Sequence, residues 1–143
     1  MIVSHILGQK GRDVATTRPH MTMNDVVRHL GERRIGALVV TGADGAILGI
    51  VSERDVVKAV ARGGAGALED PVSRHMTAKV ITCAPDDHID TVMESMTAGK
   101  FRHMPVEVDG QLAGIISIGD VVKARIEQMA SESQALRDYI TMS

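Results

Sequence analysis

Gly49-Ile50-Val51-Ser52-Glu53-Arg54-Asp55-Val56-Val57-Lys58-Ala59 returns 65 residues later as Gly114-Ile115-Ile116-Ser117-Ile118-Gly119-Asp120-Val121-Val122-Lys123-Ala124, with eight of eleven positions identical. A chain of 143 residues does not repeat itself so closely by accident, so it is an internal duplication. In each copy the β-branched run after the glycine reads as the end of a buried strand. The following Asp-Val-Val-Lys-Ala opens a helix, with Val57 and Val60, then Val122 and Ile126, at helical spacing. Ser52 and Ser117 therefore stand where a strand hands over to a helix. Free backbone N–H groups and the positive end of a helix dipole suit that place to an anion. Ser-x-x-Asp is also a capping box, which satisfies the same N–H groups internally. Capping would repeat as faithfully as binding, so spacing leaves both readings open.

Composition narrows the function. The chain is 44% apolar with a net charge of −2, and Phe101 and Tyr139 are its only aromatics. The core must come from Val, Ile, Leu, Met and Ala. A near-neutral chain lacks the basic face that nucleic acid requires, and so few aromatics argue against base stacking. The single cysteine, Cys83, forms no internal disulfide, which fits a reducing, cytoplasmic setting. Residues 1–13 lack the pattern of a secretory signal, and no apolar stretch is long enough to span a membrane.

Along the chain, residues 3–8 read as a helical lead-in and 14–16 as a short strand stopped before Pro19. Thr22 or Asn24 caps a helix with Met23, Val26, Val27 and Leu30 inward. Residues 37–40 and 47–51 form a hairpin turned at Asp44-Gly45. A helix runs from Asp55 to about Arg62, Gly63–Gly66 breaks it, and Glu69-Asp70-Pro71 completes a linker. The second half replays this order. It has a lead-in at 72–76, a strand at 80–83 before Pro85, and a helix capped by Asp87 with Ile89, Val92, Met93 and Met96 inward. A hairpin at 104–108 and 112–117 and a helix from Asp120 follow. The expected organisation is a first repeat at 1–64, a linker at 65–71 and a second repeat at 72–143, each β-α-β-β-α in an α+β fold. Halves of ~65 residues are marginal alone, so they are expected to share one core. The last helix carries Val122, Ile126, Met129, Ser133, Leu136 and Ile140 on one stripe that needs cover. It either lies back over the domain or packs against a second subunit.

Tandem halves of this order, each carrying Gly-Ile-[Val/Ile]-Ser-x-x-Asp into a helix, resemble the CBS domain family, named for cystathionine β-synthase. The second half adds Met76-Thr77 and Arg102-His103-Met104-Pro105-Val106, and the likeness covers nearly the whole chain. The resemblance implies tandem CBS repeats packed as a pseudo-twofold Bateman module that commonly forms a homodimer. It also implies clefts for adenosine-containing ligands (AMP, ADP, ATP, NAD or S-adenosylmethionine) and a role in sensing energy or metabolite state rather than catalysis. By the same resemblance, Asp120 and Asp55 accept hydrogen bonds from ribose hydroxyls, since an ionised carboxylate is acceptor-only. Ser117 and Ser52 face the phosphate or ribose. Thr77, Ala78, Lys79 and Val80 line the adenine with backbone, and Val80, Met104, Pro105 and Ile116 form an aliphatic slot for it. Arg102 and His103 fall at phosphate contacts, where Arg offers a fixed fork of donors.

The first half departs from that pattern. Gly36 and Ala37 align with Arg102 and His103, Leu38-Val39 replaces Met104-Pro105, and the segment 8–13 is longer and lacks Met-Thr. Arg54 and Arg34 are the substitute donors. The clefts are therefore expected to be unequal. The one around Asp120 is the stronger, and the one around Asp55 is weaker or takes a larger ligand such as a dinucleotide.

Six histidines fall in no metal-ligand spacing, and no dedicated metal site is expected. Asp86-Asp87-His88 follows Pro85 at a helix start and reads as a cap. No nucleophile–base pair emerges, so an enzyme is not expected. With no effector domain in the chain, a sensor passes its output to a partner protein or acts as a nucleotide buffer. The alternative is a structural module that uses the fold only to dimerise.

Overall fold

The computed structural model describes residues 1–142. In the first half, β1 (Thr16–Thr17), β2 (Ala37–Thr41) and β3 (Ile47–Ser52) form a three-stranded sheet, β1 parallel and β3 antiparallel to β2. In the second, β4 (His103–Val108) and β5 (Gln111–Ser117) form an antiparallel pair. The registers match: Ala37 faces Ser52, His103 faces Ser117, and each hairpin bulges at the same place, Val40/Thr41 and Val106/Glu107. Ala37 and His103 are thus structural equivalents. The long helices are α2 (Met23–Arg33), α3 (Glu53–Gly63), α5 (Ile89–Gly99) and α6 (Ile118–Met142), with short α1 (Val3–Lys10) and α4 (Val72–His75) ahead of each half. Thr22, not Asn24, caps α2: its Oγ1 accepts from Asp25 N–H at 3.1 Å while Asp25 Oδ2 accepts from Thr22 N–H at 3.1 Å.

The expected single core is instead two, interlocked by exchange. Val3, Ile6 and Leu7 of α1 pack with Met96, Met104 and Ile116 of the second half. Val72 at the start of α4 packs with Met23, Leu38 and Val51 of the first. Backbone bonds hold both crossings in the same manner. Val3 and Ser4 N–H donate to Asp87 and Pro85 carbonyls at 2.9 Å. Val72 and Ser73 N–H donate to Met21 and Pro19 carbonyls at 2.7 and 3.0 Å. Each crossing passes the glycine that opens the repeated stretch. A Cβ on Gly49 would lie 2.8 Å from Met76 Sδ, and one on Gly114 2.8 Å from Leu7 Cδ2. Neither half closes its core alone, which is how units of ~65 residues reach stability.

Several elements differ from the expectation. The first strand is Thr16–Thr17 rather than 14–16. Residues 80–83 form no strand; Cys83 alone bridges to Val106. The ladder stops there because Ala84 N–H turns to Asp87 Oδ2 at 2.8 Å and Pro85 has no N–H. Asp87 thus closes a turn instead of capping α5, whose N-cap is His88. The first N–H of α5, on Ile89, donates to the Met1 carbonyl at 3.1 Å. Helix α3 starts at Glu53 because Ser52 is its N-cap. The glycine-rich segment continues as a 3-10 helix, Gly64–Glu69, entered through Gly64 at φ 70° and burying Ala67 in the first core. Helix α6 does not lie back over the domain. Only Val121 and Ala124 of it are buried, and Ile126 and Leu136 are 61% and 60% exposed. Among the described residues, no helix is long and apolar enough to cross a membrane.

Candidate ligand-binding site

The exchange opens a cavity of about 630 Å³ between the halves. One wall is the handover from β3 to α3, with Ile50 and Ser52–Asp55. The other wall comes from the second half: Thr77, Lys79, Val80 and Ile81, then Gly99 to His103. Thr77 is stitched to β3 by two backbone bonds, Thr77 N–H to the Ile50 carbonyl at 2.8 Å and Ile50 N–H to the Thr77 carbonyl at 3.0 Å. Arg54 closes the far side, donating from Nη1 to the Lys100 carbonyl at 3.0 Å.

Asp55 is both a cap and a cavity residue. Its Oδ2 accepts from Ser52 N–H at 2.8 Å and Ser52 Oγ at 3.2 Å. Oδ1 takes no part in the cap. Around it, Arg54, Lys58, Lys79, Lys100 and Arg102 outnumber the carboxylates Glu53 and Asp55. Five cations against two anions favour a ligand carrying phosphate. Ile50, Val57, Val80, Ile81 and Phe101 supply apolar surface. A Cβ on Gly36 would lie 2.9 Å from Glu53 Oε1 and 3.1 Å from His103 Nε2, so a larger residue there displaces those two side chains.

His103 is half-buried, and burial pushes its imidazole below the ordinary 6.5, partly opposed by the Glu53 carboxylate. The ring is therefore mainly neutral at pH 7. As pH falls below 6.5 the unfolded chain takes up this proton before the folded one, so His103 costs stability in acid. The wild-type Tm should therefore drop more between pH 7 and pH 5 than that of His103→Asn. Equal slopes in a thermal melt series would contradict this.

The second handover carries the same box. Asp120 Oδ2 accepts from Ser117 N–H at 2.8 Å, and Ser117 Oγ accepts from Asp120 N–H at 3.1 Å. It differs in one respect: Lys10 Nζ lies 2.7 Å from Asp120 Oδ2 and donates to the Ile115 carbonyl at 3.0 Å. Burial raises the Asp120 carboxyl, but the Lys10 and Ser117 hydrogen bonds outweigh it and hold the group below the usual carboxylate range.

Of the residues singled out in the sequence, the cavity gathers Ser52, Arg54, Asp55, Thr77, Lys79, Val80, Arg102 and His103. Ser117 and Asp120 do not line it, nor do Ala78 and Arg34. The expected aliphatic slot does not form from Met104, Pro105 and Ile116. Met104 and Ile116 are 1% and 0% exposed in the second core, and Pro105 is also buried. Side chains alternate along β4, so His103 can face the cavity only if Met104 faces away from it. Glu53, Lys58, Lys100, Phe101 and Lys10 were not foreseen. Lys58 sits inside the repeated stretch. Lys100 is the equivalent of Arg34, both left-handed helix C-caps at φ 56° and 53°. The Lys10 contact spans 110 residues of sequence and left no signal. Among the described residues no group of three or more His, Cys, Asp or Glu gathers to hold a metal. Burial pushes the Cys83 thiol up to about 12, which makes it a poor nucleophile.

A family model for the CBS domain matches residues 4–62 and again 72–127, the two halves defined by the repeat. The chain belongs to the CBS domain family. Its fold matches the crystal structure of a CBS-domain-containing protein from Agrobacterium tumefaciens at TM-score 0.85 and 53% identity, over 87% of this chain and 99% of that one. A CBS domain protein from Pyrobaculum aerophilum complexed with AMP matches at TM-score 0.75 and 28% identity, over 84% of this chain and 89% of that one. The mitochondrial CBS domain-containing protein CBSX3 of Arabidopsis thaliana is 36% identical over 123 residues. That alignment takes in 83% of this chain but only 60% of the relative's length. In fold, this CBS domain pair matches these solved CBS domain structures.

Proposed function

We propose that this CBS domain pair is a regulatory module that binds an adenine nucleotide in the cavity between its repeats and performs no catalysis. The observation that carries the reading is a capped carboxylate, Asp55, at a helix start in a cavity lined by five cationic side chains. In this reading Asp55 accepts from the ribose hydroxyls through Oδ1. The backbone of residues 77–80 meets the adenine. Phosphate falls to the α3 N-terminus and to Arg54, Arg102 and His103. AMP is the first ligand to test, because the Pyrobaculum relative is complexed with it; ADP, ATP and NAD share its recognised part. Binding acts by favouring one arrangement of the repeats, and the output passes to a partner protein.

A second reading, a dimerisation module without ligand, draws on the exposed Val122, Ile126, Met129 and Leu136 of α6. A homodimer through that stripe is compatible with either reading. Calorimetric titration of the purified chain with AMP separates them. Binding well below millimolar is expected. No binding up to about millimolar, equivalent to about −4.1 kcal/mol, for AMP, ATP, NAD and S-adenosylmethionine alike refutes the sensor reading.

A further inference from the structure

We propose that Lys10 is a built-in occupant of the second cleft, the one around Asp120, and that it limits the chain to one adenosine ligand. The inference rests on the ribose-binding reading of the repeated aspartate.

The two handovers differ in what meets the strand beside them. In the first half, α4 ends after four residues, at His75. The chain then extends, and Thr77 N–H satisfies the Ile50 carbonyl. In the second half, α1 runs eight residues, to Lys10, and Gly8 is still helical. Among the described residues no backbone N–H reaches Ile115 in the way Thr77 reaches Ile50. The Lys10 ammonium donates to the Ile115 carbonyl instead, at 3.0 Å, and to Asp120 Oδ2 at 2.7 Å. One cation thus takes the strand carbonyl and the carboxylate together. An ammonium has three donors and no acceptor, so it suits these two oxygens and offers nothing to a hydroxyl's proton.

Lys10 is also held in place. Leu7, one turn earlier, is 1% exposed against the second core, and its Cδ2 lies so near Gly114 that a Cβ there would come within 2.8 Å of it. The end of α1 is thus packed on β5, and Lys10 reaches the second handover from that packed base. Lys10 contacts only Oδ2 of Asp120, so what it sets against a ribose is its ammonium and stem, lying between the Ile115 carbonyl and the carboxylate, which a nucleotide seated on Asp120 must displace. Among the described residues Asp55 has no such ion pair, and its cap contacts come from Ser52. The second copy also has Ile118-Gly119 where the first has Glu53-Arg54, so it lacks the cation that Arg54 adds to the first site.

The test is a count of AMP sites by calorimetry and equilibrium dialysis on the full chain. It compares wild type, Lys10→Met, Lys10→Gln, and Lys10→Met combined with Asp120→Asn. Lys10 is at a helix end with its side chain 32% exposed, and Met and Gln are good helix formers, so the single variants are expected to fold. Melting curves check this, and either folded variant suffices. The expected result is one site in wild type, two in Lys10→Met or Lys10→Gln, and one again in the double variant. Two sites in wild type, or no site gained on removing the lysine, overturns the inference while leaving the Asp55 site standing. No site in wild type but one in the lysine variants keeps Lys10 as an occupant and sinks the Asp55 reading. No site in any protein sinks both.

Discussion

Asp55→Ala is expected to weaken AMP binding about 100-fold or more in a calorimetric titration. The side chain is the one carboxylate of the α3 cap, and it lines the cavity between the repeats. A hydrogen bond to a charged group contributes about 1.5–3 kcal/mol, and a ribose diol offers two. Losing both costs about 3 kcal/mol at the low end, or roughly two powers of ten in affinity. The fold should survive, because losing an N-terminal cap costs about 1 kcal/mol. Asp120→Ala is the matched control: it removes an equivalent cap, but Asp120 does not itself line the Asp55 cavity, so AMP affinity there should change less than about threefold. If Asp120→Ala abolished binding and Asp55→Ala did not, the ligand would belong to the other cleft.

Leu7→Ala should destabilise the protein by about 3–5 kcal/mol, the usual range for a buried leucine that leaves a cavity. For a chain of this size that corresponds to a Tm fall of roughly 10 °C or more. The size of the effect follows from the exchange of helices: Leu7 lies among Met96, Met104 and Ile116, far from its own half of the sequence. Ile126→Ala removes an apolar side chain from α6 that is 61% exposed, and should cost no more than about 0.5 kcal/mol. Comparable effects from the two substitutions would mean that α1 is not an integral part of the second core.

The duplication, the two hairpins and their turns, and both capping boxes were legible because each rests on contacts within a few residues. The exchange of α1 and α4 was not, since it depends on pairings such as Val3 with Asp87 that leave no local pattern. Residues 80–83 carry the β-branched run of a strand, yet they find one bridge only, and Val80 and Ile81 face the cavity instead. The expected slot from Met104 and Ile116 failed through strand alternation, which turns them into the core. Arg102 and His103 are what make the Asp120 cleft the stronger of the two in the sequence. Those two residues line the cavity that holds Asp55, because the halves interlock, whereas Asp120 meets Lys10.

The most direct measurement is a titration of AMP into ¹⁵N-labelled protein, following the backbone amides one by one. Saturable shifts are predicted at Gly36, Ser52 to Asp55, Thr77 to Ile81 and Arg102, with Ser117 to Asp120 largely unmoved. Shifts centred on Ser117 to Asp120, or none at all up to millimolar nucleotide, would contradict the assignment of the ligand to the cavity between the repeats.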